Sequence, residues 1–230
     1  MNIKGIQKLT LLDYPGRVAC TLFTGGCNFR CPFCHNSMLV IDPEQNMSHD
    51  INEIFTYLHR RRGVLDGVAI TGGEPLLQPD IADFIKSIRT LGYPVKLDTN
   101  GSRPKVLRRL IDEGLVDYVA MDIKNSLEKY GTTIGVPNYD TSAVEESAAL
   151  LMEGRVDFEF RTTVVKGLHE ADDFRKIGEW LGGDEKFFLQ QFKDSGSLID
   201  PSINGFEDAK LTEFAKILQL YIPHTDIRGI

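Results

Sequence analysis

Six short β-rich runs alternate with longer segments of helical period along this chain, and that alternation leaves few folds open. It is the pattern of repeated β/α units around a mostly parallel sheet. The candidate strands are 17–23, 67–71, 94–98, 116–123, 157–165 and 186–192. Between and after them, helical patterns run through 51–62, 80–91, 104–113, 142–153, 171–181 and 208–220. Six strands are too few to close an eight-stranded barrel, so the predicted fold class is α/β, an open partial (β/α)6 barrel. Local signals agree with these boundaries. Pro79-Asp80 opens one helix and Leu91-Gly92 closes it, Ser102 precedes Pro104 at the next, and Gly114 ends that one. No repeat, low-complexity tract or Pro/Ser-rich linker divides the chain, so one domain over 1–230 is expected. The loop 131–140, with Gly131, Gly135 and Pro137, is the segment least committed to any element.

With 230 residues and 42% hydrophobic content, the chain is long enough to bury a substantial core. It has no run of roughly 18 apolar residues, and its N-terminus lacks the apolar region of a secretory signal. A cytoplasmic protein with no membrane partner is expected. The 26 Lys and Arg against 33 Asp and Glu give a net charge of -7, with no long basic run to neutralise a phosphate backbone. Nucleic acid is therefore not an expected partner; Arg60, Arg61 and Arg62 read as a solvated helix end, where cations suit the macrodipole.

The strands end in chemistry rather than in ordinary turn residues. Gly25-Gly26-Cys27 follows the first, Gly72-Gly73-Glu74-Pro75 the second and Asp98-Thr99-Asn100-Gly101 the third, while Asp122 and Lys124 end the fourth. In β/α barrels the reacting groups gather at the C-terminal ends of strands, and four consecutive ends of this kind imply a site.

Three of the four cysteines, Cys27, Cys31 and Cys34, lie within eight residues, close enough to bind three corners of a cuboidal iron–sulfur cluster. Cys20 sits in an alternating apolar stretch and reads as core. Structural zinc is the competing reading, but such sites normally take four ligands, and His35 is too close to Cys34 for comfortable tetrahedral closure. Gly72 and Gly73 let backbone approach a ligand, and Glu74 offers a carboxylate to an ammonium group. Read without context, GGEP is a tight βα turn, DTNG a turn, and MDIK a strand end with a surface ion pair.

The Cys-x3-Cys-x2-Cys loop, with Phe33 just before its last cysteine, resembles the signature of the radical S-adenosylmethionine superfamily, and Gly72-Gly73-Glu74-Pro75 resembles its second motif. The resemblance implies a partial barrel of the radical SAM type, one [4Fe–4S] cluster on Cys27, Cys31 and Cys34, and S-adenosylmethionine on the open iron. The reduced cluster would cleave that ligand to methionine and a 5′-deoxyadenosyl radical, which takes a hydrogen atom from the substrate. Asp98-Thr99-Asn100-Gly101 and Met121-Asp122-Ile123-Lys124 resemble segments of glycyl-radical-enzyme activating enzymes, implying that Asp98, Asp122 and Lys124 organise the ligand's carboxylate and a nearby monovalent cation and that Thr99 and Asn100 also belong to the cofactor site. Charge alone makes Lys124 a carboxylate partner, and a shared cation would relieve repulsion between Asp98 and Asp122.

The stretch Leu11-Leu12-Asp13-Tyr14-Pro15-Gly16 and the loop ending Cys34-His35-Asn36 are similar to activating proteins of anaerobic ribonucleoside-triphosphate reductase. That implies a glycyl radical enzyme as partner, the reductase in particular, and an electron donor such as flavodoxin or ferredoxin. Asp13 and Tyr14 fit either a cover over the site or a turn before the first strand. Arg161 can point a cation at the ligand, although an isolated strand Arg is more often a salt-bridge or surface residue. Gln190 and Gln191 lie where related activases contact the nucleoside, but the familiar histidine pattern is missing; His169 reads as a loop residue and Trp180 as core. Two other functions compete. A radical SAM enzyme acting on a small, purine-like molecule keeps the chemistry and changes the substrate, whereas an iron–sulfur carrier gives GGEP and Lys124 no use.

Overall fold

The computed structural model describes residues 1–41, 47–194 and 196–229. Eight strands form one sheet whose order follows the chain: β1 (Ile3–Thr10), β2 (Ala19–Thr24), β3 (Gly67–Gly72), β4 (Val95–Thr99), β5 (Tyr118–Asp122), β6 (Asp157–Val164), β7 (Phe187–Gln191) and β8 (Thr225–Arg228). β1 runs antiparallel to β2, and every later neighbour is parallel. The helices are α1 (Ser37–Ile41), α2 (Ile51–Arg60), α3 (Ile81–Thr90), α4 (Pro104–Asp112), α5 (Tyr130–Thr133), α6 (Ser142–Met152), α7 (Ala171–Leu181) and α8 (Asp208–Gln219).

The six expected strands are β2 to β7, each within two residues of its predicted ends. Two further strands flank them. β1 escapes a period-2 reading because Gly5 and the half-exposed Gln7 interrupt its apolar face and its pairing shifts register twice. β8 has four residues with one apolar side chain, Ile227, too short for any periodic signal. These two strands are the edges of the sheet, and no pairing joins them among the described residues. The barrel stays open.

Strand alternation sorts the residues. Leu22, Val68, Ile70, Val95, Leu97, Val119, Met121, Phe160 and Leu189 face the helical layer, where they share one core with Leu58, Ile85, Leu107, Leu151, Phe174 and Phe214. Cys20 belongs to that core and is fully buried, as expected. The intervening residues are polar or small, and side chains from β3, β4, β5, β6 and β7 meet around one cavity. A flat sheet would splay these strand ends apart; convergence of five of them reports the curvature of a partial barrel.

The opposite end of the barrel is closed by the segment after β1. Thr10 Oγ1 accepts from the Leu12 and Asp13 N–H groups, and the Thr21 hydroxyl donates to Asp13 Oδ2 at 2.5 Å. Tyr14 is buried, with its ring 6.3 Å from that of Tyr118, and a Cβ on Gly67 would come within 2.9 Å of it. Gly67 begins β3, so Asp13 and Tyr14 form a floor at the N-terminal ends of the strands. They do not cover the site.

Candidate active site

The cavity opens at the C-terminal ends of the strands and has a volume of about 240 Å³. Cys27, Cys31 and Cys34 line it together with Phe29, Phe33, Gly72, Gly73, Asp98, Thr99, Asn100, Asp122, Lys124, Arg161, Thr163 and Gln190. All the expected site residues except Glu74 therefore meet in one place.

The cysteine loop is held from three sides. The loop 131–140 backs it: Arg30 N–H donates to the Ile134 carbonyl at 2.8 Å, and the Phe29 ring meets Tyr139 edge-on at 5.2 Å. Gly135 is required there, because its φ is +67° and a Cβ would lie 2.4 Å from the Arg30 carbonyl oxygen. The connection after β7 flanks it, with Asp200 N–H on the Pro32 carbonyl at 2.9 Å and the His35 ring stacked on Phe192 at 5.4 Å. The glycine motif closes the third side, Gly73 N–H donating to Thr24 O at 2.9 Å and Glu74 N–H to Gly26 O at 2.8 Å. Asn100, Asn28 and Ser102 tie the loop after β4 to the same cysteines. Asn100 Nδ2 lies 3.1 Å from Asn28 Oδ1 and 3.7 Å from Cys27 Sγ, and Ser102 Oγ donates to Asn28 Oδ1 at 3.3 Å.

Burial pushes all three thiols up, Cys31 to about 12. Lys124 opposes the shift at each of them. Metal ligation needs thiolates, so a soft metal must displace these protons as it binds. Among the described residues, no three His, Cys, Asp or Glu side chains converge on one ion. A cuboidal cluster takes each thiolate on a different iron, and three cysteines of one loop line the cavity. The donor set fits the cluster.

Glu74 departs from expectation. Its carboxylate is fully buried and turned away from the cavity, accepting from Leu76 N–H at 3.0 Å, the Thr99 hydroxyl at 2.8 Å and Asn100 N–H at 2.6 Å. It caps the 3₁₀ turn Pro75–Leu77 and joins the end of β3 to that of β4. Burial pushes its pKa up to about 7, against the pull of these three donors. Glu74 positions the loops after β3 and β4. In Glu74→Gln the amide nitrogen would face either the Asn100 N–H or the pair from Leu76 and Thr99, leaving a buried donor without an acceptor. Urea unfolding should show a loss of about 1–3 kcal/mol.

The charged residues form one network. Arg161 lies between the two acids, with Nη2 2.9 Å from Asp122 Oδ1 and Nη1 3.4 Å from Asp98 Oδ2. Lys124 Nζ is 3.0 Å from Asp122 Oδ2, and the Lys96 ammonium pairs with Asp98. Burial alone would raise both carboxylates; Arg161 with Lys124 holds Asp122 at about 2, and Arg161 with Lys96 lowers Asp98. Of the two readings of Arg161, the salt bridge is present, and the residue stands at the centre of a buried cluster. Lys96 carried no signal in the sequence, and His169 is the loop residue expected. His169 is buried, its Nδ1 accepting from Val165 N–H at 3.1 Å, which leaves the proton on Nε2 to donate to the Lys124 carbonyl at 2.9 Å. Burial lowers its pKa, so this support for Lys124 is neutral.

The sequence profile of the Radical SAM superfamily matches residues 21–181, and the chain belongs to that superfamily. Within it, the chain belongs with the glycyl-radical-enzyme activating enzymes. It is 31% identical to a putative glycyl-radical enzyme activating enzyme, MJ1227, of Methanocaldococcus jannaschii, over 99% of this chain and 96% of that one. It is 28% identical to the pyruvate formate-lyase-activating enzyme of Staphylococcus epidermidis, over 85% and 82% of the two chains. Streptococcus suis SuiB bound to S-adenosylmethionine shares the fold, with a TM-score of 0.68 at 15% identity, covering 88% of this chain and 48% of SuiB. A domain of a Bacteroides vulgatus pyruvate-formate lyase-activating enzyme gives 0.58 at 19% identity, covering 71% of this chain and 99% of the domain. The protein is an enzyme, and the cofactors of its superfamily are a [4Fe–4S] cluster and S-adenosylmethionine. No helix among the described residues is long and apolar enough to cross a membrane.

Proposed function

We propose that this chain, as a single radical SAM domain over 1–230, activates anaerobic ribonucleoside-triphosphate reductase by taking a hydrogen atom from one of its glycine residues. When bound, the cluster supplies the electron that cleaves S-adenosylmethionine to methionine and a 5′-deoxyadenosyl radical. Cys27, Cys31 and Cys34 would hold three of its irons, and Phe33 lines the same cavity. Gly72 and Gly73 bring backbone to the ligand's ammonium group, and Lys124, with Arg161 behind it, meets the carboxylate. Asp98 and Asp122 keep both cations in place, while Thr99 and Asn100 fix the loop beside Cys27. The reductant is a small redox protein such as flavodoxin or ferredoxin, and the setting is the cytoplasm.

The observation that supports this reading most is the meeting of the three cysteines with Lys124 and Arg161 at one barrel mouth, in a chain alike along nearly its whole length to an activating enzyme. An exposed apolar edge beside the mouth suits a protein substrate. Val40 of α1 lines the cavity, while Met38 and Ile41 on the same helix are 51% and 60% exposed. The test is isotopic: with reductant and S-adenosylmethionine, a reductase labelled with α-deuterated glycine should pass deuterium into 5′-deoxyadenosine. Product free of deuterium would refute the assignment of glycine as hydrogen donor.

A further inference from the structure

Asp98 and Asp122 end neighbouring strands and face one cavity, the arrangement for which a bound monovalent cation was expected. All four of their carboxylate oxygens already meet a cationic side chain of this chain. Asp98 Oδ1 is paired with the Lys96 ammonium and Oδ2 with Arg161 Nη1 at 3.4 Å; Asp122 Oδ1 is 2.9 Å from Arg161 Nη2, and Oδ2 is 3.0 Å from Lys124 Nζ. The Lys96 side chain is only 2% exposed, and Asp98 and Arg161 are 15% and 13% exposed, so solvent does little to screen these charges. Among these five side chains three cations meet two carboxylates, and Glu159, the next acid to act on Arg161, is itself paired with Arg228. A metal ion would have to displace one of these side-chain cations to reach a carboxylate oxygen. The expected ion does not fit the residues present.

We propose that Lys96 is the built-in cation of this site: its ammonium takes the place of a monovalent metal ion, making ligand binding independent of potassium or sodium. Lys96 is a positioning residue in this account. It fixes Asp98, which with Asp122 fixes Arg161 and so sets the cation that Lys124 presents to the ligand. The inference rests on the reading that this cavity holds S-adenosylmethionine.

Calorimetric titration of S-adenosylmethionine into the anaerobic holoenzyme, at matched ionic strength in potassium, sodium or choline chloride, should give affinities within about twofold of one another, the range that screening alone allows. Crystals of the holoenzyme grown in rubidium chloride should show no anomalous peak between Asp98 and Asp122. Lys96→Met should bind the ligand about tenfold more weakly in choline, recover in potassium, and gain the rubidium peak. Wild-type affinity that rises severalfold with potassium, or a rubidium ion on the wild-type carboxylates, would overturn the proposal, and both are read on the wild type even if the variant does not fold. Absence of ligand binding in every salt would refute the cavity reading, and the rubidium map would still decide the place of the ion.

Discussion

A Gly73→Ala variant should lose its cluster loop before it loses its fold. A Cβ at this position would lie 1.9 Å from the Gly26 carbonyl oxygen and 2.6 Å from its carbon, both backbone atoms with no rotamer to yield. Relief requires the end of β3 to move away from the residue before Cys27. That movement breaks the bonds from Gly73 N–H to Thr24 O and from Glu74 N–H to Gly26 O. Leaving two such buried pairs unmade costs about 2–6 kcal/mol, enough to lower cluster loading more than tenfold in a stoichiometric reconstitution. The control is Gly92→Ala, whose φ of +89° brings backbone strain of its own while its Cβ would meet nothing within 4 Å, so it reports strain without a clash. It should cost about 1–2 kcal/mol and reconstitute normally, as read by iron and sulfide content. Equal loading of the two variants would show that the glycine motif does not brace the cysteines.

Arg161→Met should be the most destabilising single change in the charge network. It leaves Asp98 and Asp122 facing each other with Lys96 and Lys124 as their remaining cations, and breaking a buried ion network in this way costs about 3–5 kcal/mol. For a chain of this size, that is a fall in Tm of roughly 6–20 °C. The pH dependence gives a second reading. A carboxylate whose folded pKa is depressed stabilises the fold above its unfolded value of roughly 4, and that contribution is lost as the pH falls through the folded pKa. For Asp122 the window runs from there down to about 2. In the variant both acids move up, so this acid-dependent stability shrinks and the acid limb of unfolding shifts to higher pH. A Tm within a few degrees of wild type, with an unmoved acid limb, would mean that Arg161 does not bind the two acids together.

Most of the parallel sheet was legible because its two faces differ so sharply. In β4, Val95 and Leu97 turn to the helices while Lys96 and Asp98 turn inward, a period of two that the residue types display directly. The cysteine loop was legible for a related reason, since its ligands are close in sequence. Glu74 and Arg161 were read less well because each is defined by residues far along the chain. Arg161 acquires its role from acids 39 and 63 positions away, and Glu74 is buried only because Thr99 and Asn100 arrive at its oxygens from the next strand. Pattern shows that a carboxylate stands at a strand end; it does not show which way the carboxylate turns. The loop 131–140 carried no periodicity, yet its Gly135 and Tyr139 set the position of Phe29 and Arg30 beside the cysteines. The DYPG segment was ambiguous between lid and turn until Tyr14 was placed against Gly67 and Tyr118, at the closed end of the barrel.

The central claim is that this chain installs a radical on a glycine of another protein. Electron paramagnetic resonance tests it most directly, on an anaerobic mixture of the reconstituted protein, a reductant, S-adenosylmethionine and an anaerobic ribonucleoside-triphosphate reductase. The account predicts a glycyl doublet that appears only when all four are present and is lost with Cys31→Ser. No doublet on the reductase, alongside brisk conversion of a small molecule by the same protein, would contradict it.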